Sequence, residues 1–235
     1  MQEPSAERSH RLNAYLLGVL CYNCHAKKGI SPEMGKKKIY NRKDAYYRKA
    51  KKEGFRSRAA YKLKELNSKY GFLKEGIKAL ELGCWPGGWL EVASSAIGEK
   101  GVVVGIDLKE VEPLNSNCAV FLIQGDAGET EVLKDAVRCA GGKFHLLLSD
   151  MSPKLTGIRD VDEANMGEVY GTVLNAIETV LLPKGTLIFK GFKGEAYGEI
   201  ASCLKKLFNK VKRIELDSTR KSSNEFYTYC TGYRG

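Results

Sequence analysis

The stretch KALELGCWPGGW, residues 78–89, decides how the rest of the chain is read. It opens as a short apolar run at residues 79–82. It then breaks into the turn Gly83-Cys84-Trp85-Pro86-Gly87-Gly88 and resumes as a helical pattern from Trp89 to about Ile97. Strand, glycine turn and helix, in that order, is how open α/β sheets hold a nucleotide-like ligand beyond their strand ends. Glycine lets the backbone approach the ligand where a Cβ would clash. The first helical turn then offers N–H groups that have no partner inside the helix. A glycine turn that merely closes a βα unit has the same outline, so the neighbouring residues must decide the ligand.

Two nucleotide sites are excluded by spelling. A dinucleotide site needs G-x-G-x-x-G, and a phosphate-binding loop needs Gly-Lys-Ser/Thr at its end. Here Gly83-x-x-x-Gly87-Gly88 follows Glu81, and Gly88 is followed by Trp89. The pattern acidic-x-Gly-x-x-x-Gly resembles the first motif of S-adenosylmethionine-dependent methyltransferases. A second acid agrees with it. GVVVGID, residues 101–107, is a β-branched strand ending in Asp107, 24 residues after Gly83. A carboxylate there can take both ribose hydroxyls of an adenosine.

A chain of 235 residues at 43% hydrophobic content suits one large α/β domain with a small appendage. Its sequence contains no apolar run of about 18 residues, which excludes a membrane-spanning helix. Seven scattered cysteines, an odd number, argue against a disulfide framework and for a reducing, cytoplasmic compartment. The net charge of +10 is concentrated: residues 36–62 hold twelve Lys/Arg against Asp44 and Glu53, so the remainder sums to zero. A balanced domain with a basic leader implies a polyanionic partner held at one face. Tyr40, Tyr46, Tyr47, Phe55 and Tyr61 interleave with those cations, which a plain solubilising tail would not need.

Residues 1–33 differ from the rest and read as a poorly ordered extension. CYNCH, residues 21–25, spells a haem-attachment motif, but nothing else points to export, and His10 and His145 are the only further histidines for a metal site. No metal is expected. Residues 34–76 read as a basic RNA-binding appendage, with helices over about 44–52 and 57–69. The second has Ser57 as its N-cap and carries Lys62. The main domain follows at 77–235. Strands are expected at 79–82, 102–107, 119–124, 144–149, 186–190, 211–216 and 225–231, with helices near 129–139, 163–181 and 197–208. This alternation implies an α/β fold: a mostly parallel seven-stranded sheet, helices on both faces. The last two strands, joined by a short loop, should run antiparallel.

Ligand sites in such sheets lie at the carboxyl ends of the strands. Gly83, Asp107, Asp126, Asp150 and Lys190 fall there. Residues from about Met34 onward resemble the FtsJ family of RNA ribose 2′-O-methyltransferases. The resemblance is carried by PGGW (86–89), GFRSRAAYKL (54–63), SDMSP (149–153), FKGF (189–192) and SNEFY (223–227), five motifs in order. It implies a Rossmann-like fold, S-adenosyl-L-methionine as cofactor and RNA as partner. The family's Lys-Asp-Lys-Glu tetrad falls on Lys62, Asp150, Lys190 and Glu225. Its cofactor contacts fall on Gly87, Trp89, Asp107, Asp126 and Asp150, joined by Gly83 of the turn. Glu81 stands where the family usually has Asp, and Cys84-Trp85 where it has two alanines.

The chemistry fits. A ribose hydroxyl is a weak nucleophile and is helped by a positioned base. Lysine serves as base only where burial and neighbouring cations favour its neutral form. The tetrad therefore reads as Lys190 acting as base, oriented by Asp150, with Lys62 and Glu225 adjusting charge and geometry. The bacterial branch of the family modifies a large-subunit rRNA uridine. Eukaryotic relatives act on the tRNA anticodon loop, and MGKKKIYNRKDAYYRKAKKEG (34–54) is similar to their opening. The substrate is then rRNA or tRNA, free or within a ribosomal particle. A catalytically silent RNA-binding protein on this scaffold is countered by the intact tetrad. An NAD-dependent oxidoreductase is countered by the missing G-x-G-x-x-G.

Overall fold

Strands β1 (Lys78–Leu82) and β2 (Val102–Asp107) are buried along nearly their whole length, with Lys78, Glu81 and Asp107 as their charged residues. That is the pattern of parallel strands covered on both faces. The computed structural model describes residues 45–219 and 223–235. The expected extension at 1–33, with its CYNCH motif, and the lysines and arginine of residues 36–43 lie outside the described residues. Residues Arg42–Gly235 form one compact unit. No helix among the described residues is long and apolar enough to cross a membrane.

The remaining strands are β3 (Ala119–Gln124), β4 (Phe144–Ser149), β5 (Leu181–Phe192), β6 (Phe208–Ile214) and β7 (Glu225–Tyr233). They form one sheet in the order β3-β2-β1-β4-β5-β7-β6. Pairings from β3 through β5 are parallel, and β7 runs antiparallel to both β5 and β6. This is the expected mostly parallel sheet with its late antiparallel strand. Strand order reverses between β1 and β4, and ligand crevices open at such a point.

Helices cover both faces. Leu133 and Ala136 of α4 (Thr130–Cys139), Val173 and Ile177 of α5 (Arg159–Val180) and Ile200 and Leu204 of α6 (Glu195–Leu207) pack on Leu80, Leu82, Val104, Leu147 and Leu187. The opposite face carries α2 (Ala59–Tyr70) and α3 (Gly88–Ile97). There Ala60, Leu63, Leu66, Leu90 and Ala93 meet Ala79, Val103, Leu148, Ile188 and Tyr227. The helix bearing Lys62 thus shares its core with the sheet, and α1 (Ala45–Glu53) precedes it.

Some boundaries shift for physical reasons. Helix α2 begins at Ala59 with Arg58 at the cap position and no side-chain cap bond. Ser57 is not the cap: its hydroxyl is turned against Gly88, where any Cβ would collide with it. Strand β5 starts at Leu181, earlier than expected at 186. Leu181 pairs with Phe144, the register then shifts, and Thr186 pairs with Leu146. Lys184 takes φ 66° within that irregularity. Strand β6 begins at Phe208, directly after α6.

Candidate active site

Five adjacent strand ends line up along one edge of the sheet. In spatial order they present Asp126 after β3, Asp107 ending β2, Gly83 after β1, Asp150 after β4, and Lys190 within β5. Across β5, Lys190 is in register with Tyr227, and Phe192 with Glu225. Side chains two apart on a strand share a face, so Glu225 and Tyr227 both turn toward α2. Lys62 comes down on them from that helix.

The result is a closed ionic cluster. Lys62 Nζ lies 2.5 Å from Glu225 Oε1, and Lys190 Nζ lies 3.1 Å from Asp150 Oδ1. Lys190 also donates to the Asp150 backbone carbonyl at 2.6 Å. The Tyr227 hydroxyl donates to Asp150 Oδ1 at 2.5 Å. Lys62 Nζ sits 5.6 Å from the centre of the Tyr227 ring and so links the two pairs. Both lysines are buried, at 6% exposure each. Burial pushes the Asp150 carboxyl up, but the Lys190 and Lys62 ammoniums and the Tyr227 hydrogen bond outweigh it and hold Asp150 below its usual range. Burial, then the charges of Asp150 and Glu225, push the Tyr227 phenol well above its ordinary value, so it remains a donor. The structure brings all four tetrad residues together.

Next to Asp150 lies a recess of about 190 Å³, lined by Glu81, Gly83, Trp85, Gly88 and Asp150 among others. Gly83 holds φ 72°, and a Cβ there would sit 2.5 Å from Met151 Cγ. Gly87 holds φ 105° immediately before α3. The Trp85–Pro86 peptide is cis. Asp107 accepts from Trp85 N at 2.8 Å and Lys109 N at 2.9 Å. Glu81 is buried, and its Oε2 has no hydrogen-bond partner. Burial first, then the charges of Asp150 and Asp107, push its carboxyl well above the carboxylate range. An orphaned acid, a turn with glycine at 83, 87 and 88, and the Asp107 carboxylate bonded to that turn suit a ligand carrying an ammonium and a ribose. S-adenosylmethionine is such a ligand.

Of the expected cofactor contacts, Gly83, Trp89 and Asp150 line the recess, whereas Gly87, Asp107 and Asp126 do not. The Trp89 indole is buried at 1% exposure, and its Nε1 donates to the Ala59 carbonyl at 2.8 Å. Trp89 borders the recess, but its polar atom is committed to joining α2 and α3. Asp126 does not line the recess; it accepts from Gly128 N at 2.8 Å in the turn before α4. A larger groove, about 680 Å³, opens beside α3 between residues 53–56 and 114–118, and none of the strand-end residues lines it.

Residues 55–233 match the FtsJ-like methyltransferase family. The chain belongs to that family. It is an S-adenosylmethionine-dependent methyltransferase. Ribosomal RNA large subunit methyltransferase E of Methanobrevibacter smithii is 41% identical over 184 residues, 78% of this chain and 87% of that one. The protein of the same name from Methanosphaera stadtmanae is 40% identical over 204 residues, 86% of this chain and 98% of that one. Among solved structures, a Plasmodium falciparum protein described as a ribosomal RNA methyltransferase superposes with a TM-score of 0.66. It is 31% identical and covers 77% of this chain and 100% of its own.

Within this FtsJ-like site, sequence reading missed Tyr227 and the pairing of the charges. The signal for Tyr227 was available: it lies two residues beyond Glu225 in an alternating strand, hence on the same face. Arg56 was missed too. Its backbone N donates to Glu91 Oε2 at 2.9 Å, and its guanidinium donates to the carbonyls of Glu112 at 2.5 Å and Pro113 at 2.6 Å. It thereby links α3 to the loop after β2, whose two carbonyls lie 56 and 57 residues from Arg56 in the chain, beyond the reach of any local pattern.

Proposed function

We propose that this FtsJ-like enzyme methylates a ribose 2′-hydroxyl of ribosomal RNA, with a large-subunit uridine as target, in the cytoplasm. Relatives named for the large ribosomal subunit favour this over the tRNA anticodon loop. The observation that carries the chemistry is the buried Lys190–Asp150 pair, backed by Tyr227, at the margin of the cofactor recess. When bound, S-adenosylmethionine supplies an electrophilic methyl group. From the ion-paired state Lys190 gives up its own proton to solvent, and the amine so formed takes the proton of the attacking hydroxyl. Asp150 fixes the direction of the Lys190 amine through both its carboxylate and its backbone carbonyl. Lys62 and Glu225 neutralise each other beside it and keep the cluster's formal charge at zero. Gly83, Gly87 and the backbone at Trp89 admit the cofactor, Asp107 takes its ribose, and Asp126 flanks the adenine side. The basic leader and appendage grip phosphates, an interaction that weakens with salt through counterion release.

Single-turnover methylation at saturating cofactor and RNA tests this reading. Lys190→Ala should lower the rate by roughly 10²–10⁴, the range for loss of a positioned general base, with S-adenosylhomocysteine affinity nearly intact. Lys190→Arg should not rescue, because guanidinium keeps its proton. A near wild-type rate for Lys190→Arg would assign the proton elsewhere. Mapping the 2′-O-methyl marks on RNA with and without the protein identifies the substrate, and marks confined to tRNA would overturn the ribosomal assignment.

A further inference from the structure

The Asp107 carboxylate is held from two sides, by the backbone N–H of Trp85 at Oδ2 and that of Lys109 at Oδ1. The same two residues meet again through their side chains: Lys109 Nζ lies 4.0 Å from the centre of the Trp85 ring. A carboxylate bridge and a cation–π contact therefore close a loop between the glycine turn and the end of β2. The ring borders the recess, yet it is 50% exposed, whereas the protein's other tryptophan, Trp89, is 1% exposed. Leu108, between the two anchor points, is 70% exposed.

This exposure is not slack. Arg56 pins the carbonyls of Glu112 and Pro113, so the loop that begins at Leu108 is fixed downstream. Arg56 also packs so close to Gly87 that a Cβ there would lie 3.1 Å from its Cδ. The rim is thus braced from the glycine turn and from α3. A large apolar ring held rigidly at the mouth of a ligand recess is a contact surface waiting for its ligand.

We propose that Trp85 is a cofactor-binding residue: its indole forms the outer wall of the site on the ribose side, and Lys109 holds the ring in position. The family usually places alanine here, so this wall is a feature that the alanine-bearing pattern lacks. The assignment rests on reading the recess as the cofactor site.

S-adenosylhomocysteine is the probe, with calorimetry and tryptophan fluorescence as readouts, so no turnover is needed. Ligand should change wild-type fluorescence, and that change should be lost in Trp85→Phe, which retains the buried Trp89. Trp85→Ala should weaken binding about tenfold, the loss expected when one aromatic wall of the site is removed. Trp85→Phe should stay within about threefold of wild type because a ring remains. Lys109→Met should cost about threefold through the lost cation–π restraint. Melting temperatures without ligand should be unchanged, since both side chains are at the surface. Unchanged affinity in Trp85→Ala, or equal losses in the Ala and Phe variants, would overturn the assignment. Absence of any wild-type binding would overturn both the assignment and the cofactor reading beneath it.

Discussion

At the ends of β4, β5 and β7, each tetrad charge already has its partner. Lys62 meets Glu225, and Lys190 meets Asp150, which Tyr227 also holds. At the ends of β1 and β2 the arrangement is open: Glu81 keeps an unpartnered oxygen, and the Trp85 ring stands half in solvent. Both regions belong to one crevice, and Glu81 and Asp150 line the same recess. The contrast separates two jobs. Groups that act on a transition state gain from being fixed beforehand, because no reorganisation is then left for the reaction. Groups that bind a ligand gain when the ligand itself brings the missing partner, since a buried polar atom left alone is costly.

The contrast breaks most visibly if one half of a buried pair is removed. Lys62→Met strands the Glu225 carboxylate at 14% side-chain exposure. The expected loss is roughly 3 kcal/mol, the low end for breaking a buried pair. At about 2–4 °C per kcal/mol for a chain of this size, melting should fall by about 6–12 °C. The double replacement Lys62→Met with Glu225→Leu should regain most of that stability without regaining activity. If Lys62→Met melts like the wild type, the pair is not part of a preassembled cluster.

A smaller effect is expected from Tyr227→Phe, which deletes only the hydroxyl on Asp150. The rate should fall roughly 10–100-fold, corresponding to about 1.5–3 kcal/mol for a hydrogen bond to a charged group. The sign in pH follows from Asp150. Its carboxyl is held below the usual range in the folded protein, so its contribution to stability is present above the unfolded value. That contribution is lost as pH falls through the folded value. Without the Tyr227 donor the folded value rises, and the acid limb of the rate profile should move to higher pH. An unmoved limb would mean that Asp150 does not feel this hydroxyl.

The smallest effect belongs to the open half, and it has the opposite sign. The Glu81 carboxyl is pushed well above its ordinary 4.5 by burial. Just above that value an unfolded chain ionises it while the folded protein still holds the proton, so the wild type loses stability as pH rises through it. Glu81→Gln should therefore melt slightly higher than wild type near pH 7, and the gap should close below pH 4.5. Its affinity for S-adenosylhomocysteine should fall about tenfold if the ligand's ammonium meets this acid, as charge-assisted bonds of ~1.5 kcal/mol imply. Wild-type binding should release a proton, visible by calorimetry in buffers of different ionisation heat, and the variant should not. A destabilised Glu81→Gln would overturn the picture of a buried neutral acid.

Much of the fold could be read from local patterns. Residues 79–82 and 102–107 are apolar runs ended by a glycine and an aspartate, and they became β1 and β2 nearly to the residue. Ser57 misled because a serine before a helical pattern resembles a cap, whereas here its neighbour across space, Gly88, decides its orientation. The start of β5 was hidden because residues 181–185 carry a helix-stopping proline and glycine within a strand that shifts register. In the site, residue types at strand ends were legible, but their partners were not. Lys62 and Glu225 are 163 residues apart, and nothing local says that Lys62 meets Glu225 instead of Asp150. Trp85 stood out only as a departure from a pattern. Its union with Lys109 through Asp107 depends on the turn after β1 folding back to β2.

The placement of β7 bears on how the protein comes into being. It is the last of the seven strands to leave the ribosome, yet it takes an interior position, between β5 and β6. It also delivers Glu225 and Tyr227 to the cluster. Without it β5 pairs only with β4, β6 has no neighbour in the sheet, and Lys62 and Asp150 lack Glu225 and Tyr227. A nascent chain therefore cannot hold a finished active site, however much of the remaining sheet has already formed. Assembly order makes completion of this domain the event that switches chemistry on.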